Sequence, residues 1–123
     1  MIIHSLTLFC NDLDETKKFY TTILGFKIIT EQQPVPDVKL ALLERDGMKI
    51  ELLERVGAPK VSFQDFTTTL GFQTENIDTD YEIMISRGIA IKSKLRNIGP
   101  HTRLFEITDP SGYPICIEQF SHP

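Results

Sequence analysis

The sequence predicts an α+β fold of two tandem βαβββ modules, and three observations predict it. The halves of the chain answer each other: at an offset of 64 residues, Ser5, Leu6, Leu8, Asp12, Leu13 and Asp14 fall on Thr69, Leu70, Phe72, Asn76, Ile77 and Asp78. At an offset of 65, Gly47, Ile50, Leu52 and Glu54 fall on Gly112, Ile115, Ile117 and Gln119, so one residue is inserted between the two stretches. Hydrophobic period gives each half the order strand, helix, strand, strand, strand. Turn signals, Asp46-Gly47 and Asp109-Pro110-Ser111-Gly112, precede the last strand of each half.

Residues 3–10 alternate, with Leu6, Leu8 and Cys10 on one face and Ser5, Thr7 and Phe9 on the other, as a strand between two environments requires. Asp12, with Glu15 three residues on, starts a helix whose inner face is Thr16, Phe19, Tyr20 and Ile23, and Gly25 stops it. Strands follow at 26–31, 38–44 and 48–54, with Gln32-Gln33-Pro34-Val35-Pro36 as a connection. The second half opens with a strand at 69–75. Tyr81, Met84 and Ile85 form the inner face of a helix ending at Gly88, and strands at 89–94, 102–108 and 113–119 complete the module. Module 1 thus spans about 1–56 and module 2 about 68–121, joined by a linker at about 57–67 without clear period, all within one domain of 123 residues.

Composition excludes several classes. The chain is 41% hydrophobic and 24% charged, which is ordinary globular usage and disfavours disorder or coiled coil. Thirteen basic residues face 17 acidic ones with no basic run, so nucleic acid is not expected as a partner. No apolar stretch approaches the roughly 20 residues of a membrane helix, and Met1-Ile2-Ile3-His4 shows no signal core. A cytoplasmic protein without a membrane partner is expected. The two cysteines, Cys10 and Cys116, are too few for a disulfide scaffold.

Three segments carry a family resemblance: Leu8-Phe9-Cys10-Asn11-Asp12-Leu13, then Phe19-Tyr20-Thr21-Thr22-Ile23-Leu24-Gly25-Phe26, then Asp109-Pro110-Ser111-Gly112-Tyr113. In this order they resemble the vicinal oxygen chelate superfamily, which includes glyoxalase I, fosfomycin-resistance proteins, extradiol dioxygenases and bleomycin-resistance proteins. The resemblance covers nearly the whole chain. It implies that the modules form a curved mixed sheet, a cup with helices on the outside, whose inner surface holds a metal or a ligand. It also implies a homodimer, which would cover exposed edge strands.

In metal-using members the ligands, typically His and Glu, come from the first and last strands of each module. Carried onto this sequence, those positions hold Ser5, Glu51, Thr69 and Cys116. Glu51 matches the glutamate of the glyoxalase I motif. His4 lies one residue from the histidine position, hence on the opposite face of a regular strand. Period two places Thr7, Phe9, Gln73 and Glu118 on the inner face with those four. The expected ligand-binding set is therefore Ser5, Thr7, Phe9, Glu51, Thr69, Gln73, Cys116 and Glu118. The same count puts His4, Leu6, Leu8, Leu70, Phe72, Ile115 and Ile117 beneath the helices.

Glu51 and Glu118 would make the cup acidic, although Lys49 alternates onto the same face. Cys116 reads as an inert strand thiol, since no His lies near it in sequence. His101, after Gly99-Pro100, reads as a loop residue, and His122 lies in the terminal tail. The function expected is binding of a small organic molecule without a metal or other cofactor, similar to bleomycin-resistance proteins. The alternative is a divergent metal-dependent lyase, isomerase or dioxygenase. There, Glu51 and His4 hold a divalent ion and Glu51 is the candidate catalytic residue.

Overall fold

The computed structural model describes residues 1–60, 62 and 68–121. Most of the expected linker from 61 onward, and His122, lie outside the described residues. The chain divides into two units, Met1–Val61 and Ser62–Pro123. Unit 1 contains β1 (Leu6–Phe9), α1 (Leu13–Thr22), β2 (Lys27–Val35), β3 (Val38–Arg45) and β4 (Met48–Arg55). Unit 2 contains β5 (Leu70–Gln73), α2 (Ile77–Ser86), β6 (Ile91–Ile98), β7 (Thr102–Thr108) and β8 (Pro114–Phe120).

Each unit is an open four-stranded mixed sheet, ordered β1-β4-β3-β2 in one and β5-β8-β7-β6 in the other. The first strand runs parallel to the last, and the other pairs are antiparallel. The internal repeat survives in register: Leu6 pairs with Ile50 as Leu70 pairs with Ile115, and Leu8 with Leu52 as Phe72 with Ile117. Ala41 pairs with Leu52, and its counterpart Phe105 with Ile117, so the one-residue drift between the halves is absorbed in the hairpin turns. In unit 1 that turn is Asp46-Gly47, with φ of 51° and 80°, the left-handed pair that a two-residue hairpin needs. In unit 2 the Gly112 N–H donates to the Asp109 carbonyl at 2.9 Å, and the Asp109 carboxylate accepts the N–H groups of Ser111 and Tyr113.

One helix covers one face of each sheet. α1 starts where Asp12 accepts the Glu15 N–H at 3.0 Å, and it buries Leu13, Thr16, Phe19 and Tyr20. Tyr20 stacks edge-on against Phe19 and Phe26, 5.4 and 5.7 Å between centroids. The interior beneath it is Leu8, Ala41, Leu43, Ile50 and Leu52. In unit 2, Ile77 is fully buried and Tyr81 meets Phe105 edge-on at 4.9 Å, above Ile107, Ile115 and Ile117.

A matched pair of side-chain bonds fixes where each helix begins. The Leu13 N–H donates to Glu54 Oε1 at 2.6 Å, and the Ile77 N–H to Gln119 Oε1 at 3.0 Å. Each acceptor sits near the end of the strand that lies second in its sheet, and each satisfies one of the orphan N–H groups of a helix start.

Several expectations need correction. β1 and β5 each span four residues rather than seven or eight, so His4, Ser5 and Thr69 precede the ladders and strand alternation does not govern them. His4 is exposed instead of lying beneath the helix. Leu6 opens its strand and is 38% exposed, while Leu70 and Phe72 are half-buried. β2 continues through Gln32-Gln33-Pro34-Val35, because an edge strand with a register shift between Gln32 and Val35 tolerates a proline. Ile85 is 51% exposed; the inner positions of α2 are Ile77, Tyr81 and Met84.

Urea denaturation should rank these positions. Leu52→Ala, which empties a fully buried site, is expected to cost about 2–5 kcal/mol, and Leu6→Ala clearly less. Removing the helix anchors should cost about 1.5–3 kcal/mol for Glu54→Ala and about 0.5–1.5 kcal/mol for Gln119→Ala, the charged acceptor mattering more. Equal effects of the two anchor substitutions would contradict the assignment.

Candidate functional site

The face of each sheet turned away from its helix carries the polar chemistry. In unit 1, register aligns Thr7, Glu51, Leu42 and Thr30 across the four strands, followed by Phe9, Leu53, Leu40 and Gln32. Thr7 and Phe9 are exposed, and Glu51, Leu53, Leu42 and Leu40 are half-buried. The Thr7 hydroxyl donates to Glu51 Oε1 at 3.2 Å. The Arg55 guanidinium lies over the Phe9 ring, 5.3 Å from its centroid, a cation–π contact on the same face. Lys49 stands two residues from Glu51 on that face but forms no ion pair with it. His4 Nδ1 lies 3.2 Å from Ser5 Oγ, ahead of the strand.

In unit 2, the corresponding rows are Gly71, Cys116, Glu106 and Ser93, then Gln73, Glu118, Leu104 and Arg96. The Cys116 thiol donates to Glu118 Oε1 at 3.3 Å. Burial, reinforced by the Glu118 and Glu106 carboxylates, pushes this thiol from its ordinary 9.0 up to about 12, so it stays protonated at neutral pH. The Ser93 hydroxyl donates to Glu106 Oε1 at 2.9 Å. Arg96 Nη1 donates to Ser93 Oγ at 2.7 Å, and its Nη2 lies 3.7 Å from Glu106 Oε1. Thr69 and Gln73 are exposed.

The structure thus joins Thr7 to Glu51 and Cys116 to Glu118, places Phe9 under Arg55, and leaves Ser5 beside His4. Sequence reasoning missed Arg55, Ser93, Arg96 and Glu106. Glu106 had a signal: it alternates with Phe105 and Ile107, and the turn at 109–112 brings it opposite Cys116. Arg96 had none, because a register shift between Ser93 and Arg96 hides its partner from period-two counting. The acidic groups are not alone on these faces. Glu51 shares its face with Lys49 and Arg55, and Glu106 and Glu118 share theirs with Arg96.

Ser5, Glu51, Thr69 and Cys116 make a poor donor set for a divalent ion: two neutral hydroxyls, one thiol and a single carboxylate, whose Oε1 accepts from Thr7. Closed or catalytic centres take three or four strong protein ligands. These residues do not fit the metal that the superfamily pattern implies. Among the described residues, no group of three or more His, Cys, Asp or Glu side chains is arranged to hold an ion.

No helix among the described residues is long and apolar enough to cross a membrane. No curated protein matches the chain. In fold it is similar to a glyoxylase/bleomycin resistance protein/dioxygenase domain from Frankia sp. EAN1pec, with a TM-score of 0.78 at 19% identity over 98% of each chain. It is similar to the genomically encoded fosfomycin resistance protein FosX from Listeria monocytogenes, with a TM-score of 0.76 at 18% identity over 98% of this chain and 94% of that one. A glyoxalase I mutant from Zea mays aligns with a TM-score of 0.80 at 23% identity, covering 94% of this chain and 43% of that one. At these identities the likeness shows the fold alone. In sequence, residues 2–117 match one family, so the chain belongs to the Glyoxalase/Bleomycin resistance protein/Dioxygenase superfamily.

Proposed function

We propose that this chain binds a small organic molecule on the open faces of its sheets, without a metal ion, and that binding rather than turnover is its activity. The observation that carries this reading is the donor chemistry at the four superfamily ligand positions. Glu51 alone offers a carboxylate, and its partner is the Thr7 hydroxyl. Leu40, Leu42, Leu53, Leu104 and Phe9 supply apolar contact area, while oriented groups such as Arg96 and Glu118 supply direction, the mixture typical of organic-ligand sites. The expected ligand set, Ser5, Thr7, Phe9, Glu51, Thr69, Gln73, Cys116 and Glu118, is kept in this proposal and extended by Arg55 and Arg96. The chain acts as a cytoplasmic homodimer of one-domain subunits in the same proposal.

A second reading is favoured by one observation: His4 lies outside β1, so no ladder holds its ring away from Glu51. There, His4 and Glu51 hold a divalent ion, and Glu51 is placed to move a proton. A thermal-shift screen separates the two readings, because any ligand of the folded state raises Tm by mass action. Small aromatic or dicarbonyl compounds should raise Tm, and divalent metals should not. Stoichiometric metal in chain purified without chelator, lost in Glu51→Ala, overturns the metal-free reading and installs the second.

The state of Cys116 gives an independent check. Its thiol ionises later in the folded chain than in the unfolded one, so its contribution to stability is complete below the ordinary pKa of 9.0 and is lost as pH rises from there toward about 12. Wild type should therefore lose more stability than Cys116→Ser over that window. Identical pH profiles would show that the thiol is not held protonated by its surroundings.

A further inference from the structure

A second polar pocket lies on the helix side of the unit 2 sheet, at the β6–β7 turn. It encloses about 230 Å³ between Asn97, the Gly99-Pro100 turn, His101, Arg103, Gln119 and Ser121. Asn97, Arg103 and Gln119 are register partners across β6, β7 and β8. They therefore point away from the face that carries Leu104 and Glu118. One wall is tied shut by Ser121, whose N–H and hydroxyl both donate to the His101 carbonyl, at 2.8 and 3.3 Å.

Several side-chain donors converge on this pocket. Gln119 gives its oxygen to the Ile77 N–H, which leaves its NH2 group to donate. The carboxamide of Asn97 adds another NH2, and the Asp78 carboxylate sits beside the space, held on Arg103. Arg103 presents its two terminal nitrogens as a fork, and that fork already grips an oxyanion from within the chain: Nη1 and Nη2 donate to the two oxygens of Asp78 at 2.8 and 2.9 Å. The Asp78 side chain is 71% exposed, and among the described residues Arg103 is its hydrogen-bond partner, so solvent replaces what it loses on swinging away.

We propose that this pocket binds a small oxyanion, a phosphate or carboxylate group, held by Arg103 and the NH2 groups of Asn97 and Gln119, with Asp78 occupying the guanidinium when the ligand is absent. Bidentate recognition by a guanidinium fork is the geometry that suits both groups. Asp78 is then an internal competitor, and its removal strengthens binding instead of weakening it.

NMR titration of the full chain with inorganic phosphate and with sodium acetate, against sodium chloride at equal ionic strength, tests the proposal. Saturable shifts of the Arg103, Gln119 and Ser121 amides at about millimolar Kd are expected, with loss of the bidentate guanidinium in Arg103→Ala weakening binding about tenfold or more. Asp78→Asn should tighten binding by a similar factor. Response to phosphate alone or to acetate alone names the source of the oxyanion, and either supports the site. Absence of saturable shifts with both salts overturns it, as does Asp78→Asn binding no tighter than wild type. Arg103 and Asp78 are surface groups, and unchanged melting curves of both variants will show that folding is not the cause.

Discussion

Each unit depends on one side-chain hydrogen bond that ties the first helical N–H to the strand second in its sheet. Glu54 does this for α1 and Gln119 for α2. A ten-residue helix is too short to be stable by itself in water, so it persists by packing. The bond sets the point at which packing starts. Leu13 and Ile77, whose N–H groups are held, are themselves buried, and the inner residues of each helix follow from them at helical spacing. With the helix placed, one face of the sheet is dry and the other is committed to polar chemistry.

That division explains why the open faces can tolerate charge. Glu106, Glu118 and Arg96 would be costly beneath a helix, where each would lose water without a full set of partners. On the open face they are half-exposed; Ser93 joins Arg96 to Glu106, and Glu118 accepts from the Cys116 thiol. The same face in unit 1 mixes Leu40, Leu42 and Leu53 with Glu51 and Arg55. Both surfaces thus combine apolar area with a few directed polar groups.

Much of the fold was legible in the sequence because its determinants are local. Asp46-Gly47 and Asp109-Pro110-Ser111-Gly112 encode turns in four residues or fewer, and Asp12 caps the helix that begins at the next residue. The repeat was legible because Leu6, Leu8, Ile50 and Leu52 recur as Leu70, Phe72, Ile115 and Ile117. What escaped depends on distance. Pro34 reads as a loop residue until the strand is known to be an edge, and Ser5 and Thr69 obey strand parity only if the strands reach them. Arg96 and Glu106 belong to different strands and meet across a register shift. The pairing of Arg103 with Asp78 joins a strand to a helix start and leaves no trace in either segment.

The inserted residue that separates the halves falls in the last hairpin turn, and the β1–β4 and β3–β4 pairings recur as β5–β8 and β7–β8, whereas the edge strands β2 and β6 shift register at different places. Length differences are thus taken up in the last hairpin turn and along the edge strands, while the ladders joining the first and last strands stay matched. Thr7 faces Glu51 in one copy where Gly71 faces Cys116 in the other. Two sheets of the same strand order thus present chemically unlike open faces beside matching first-and-last-strand ladders.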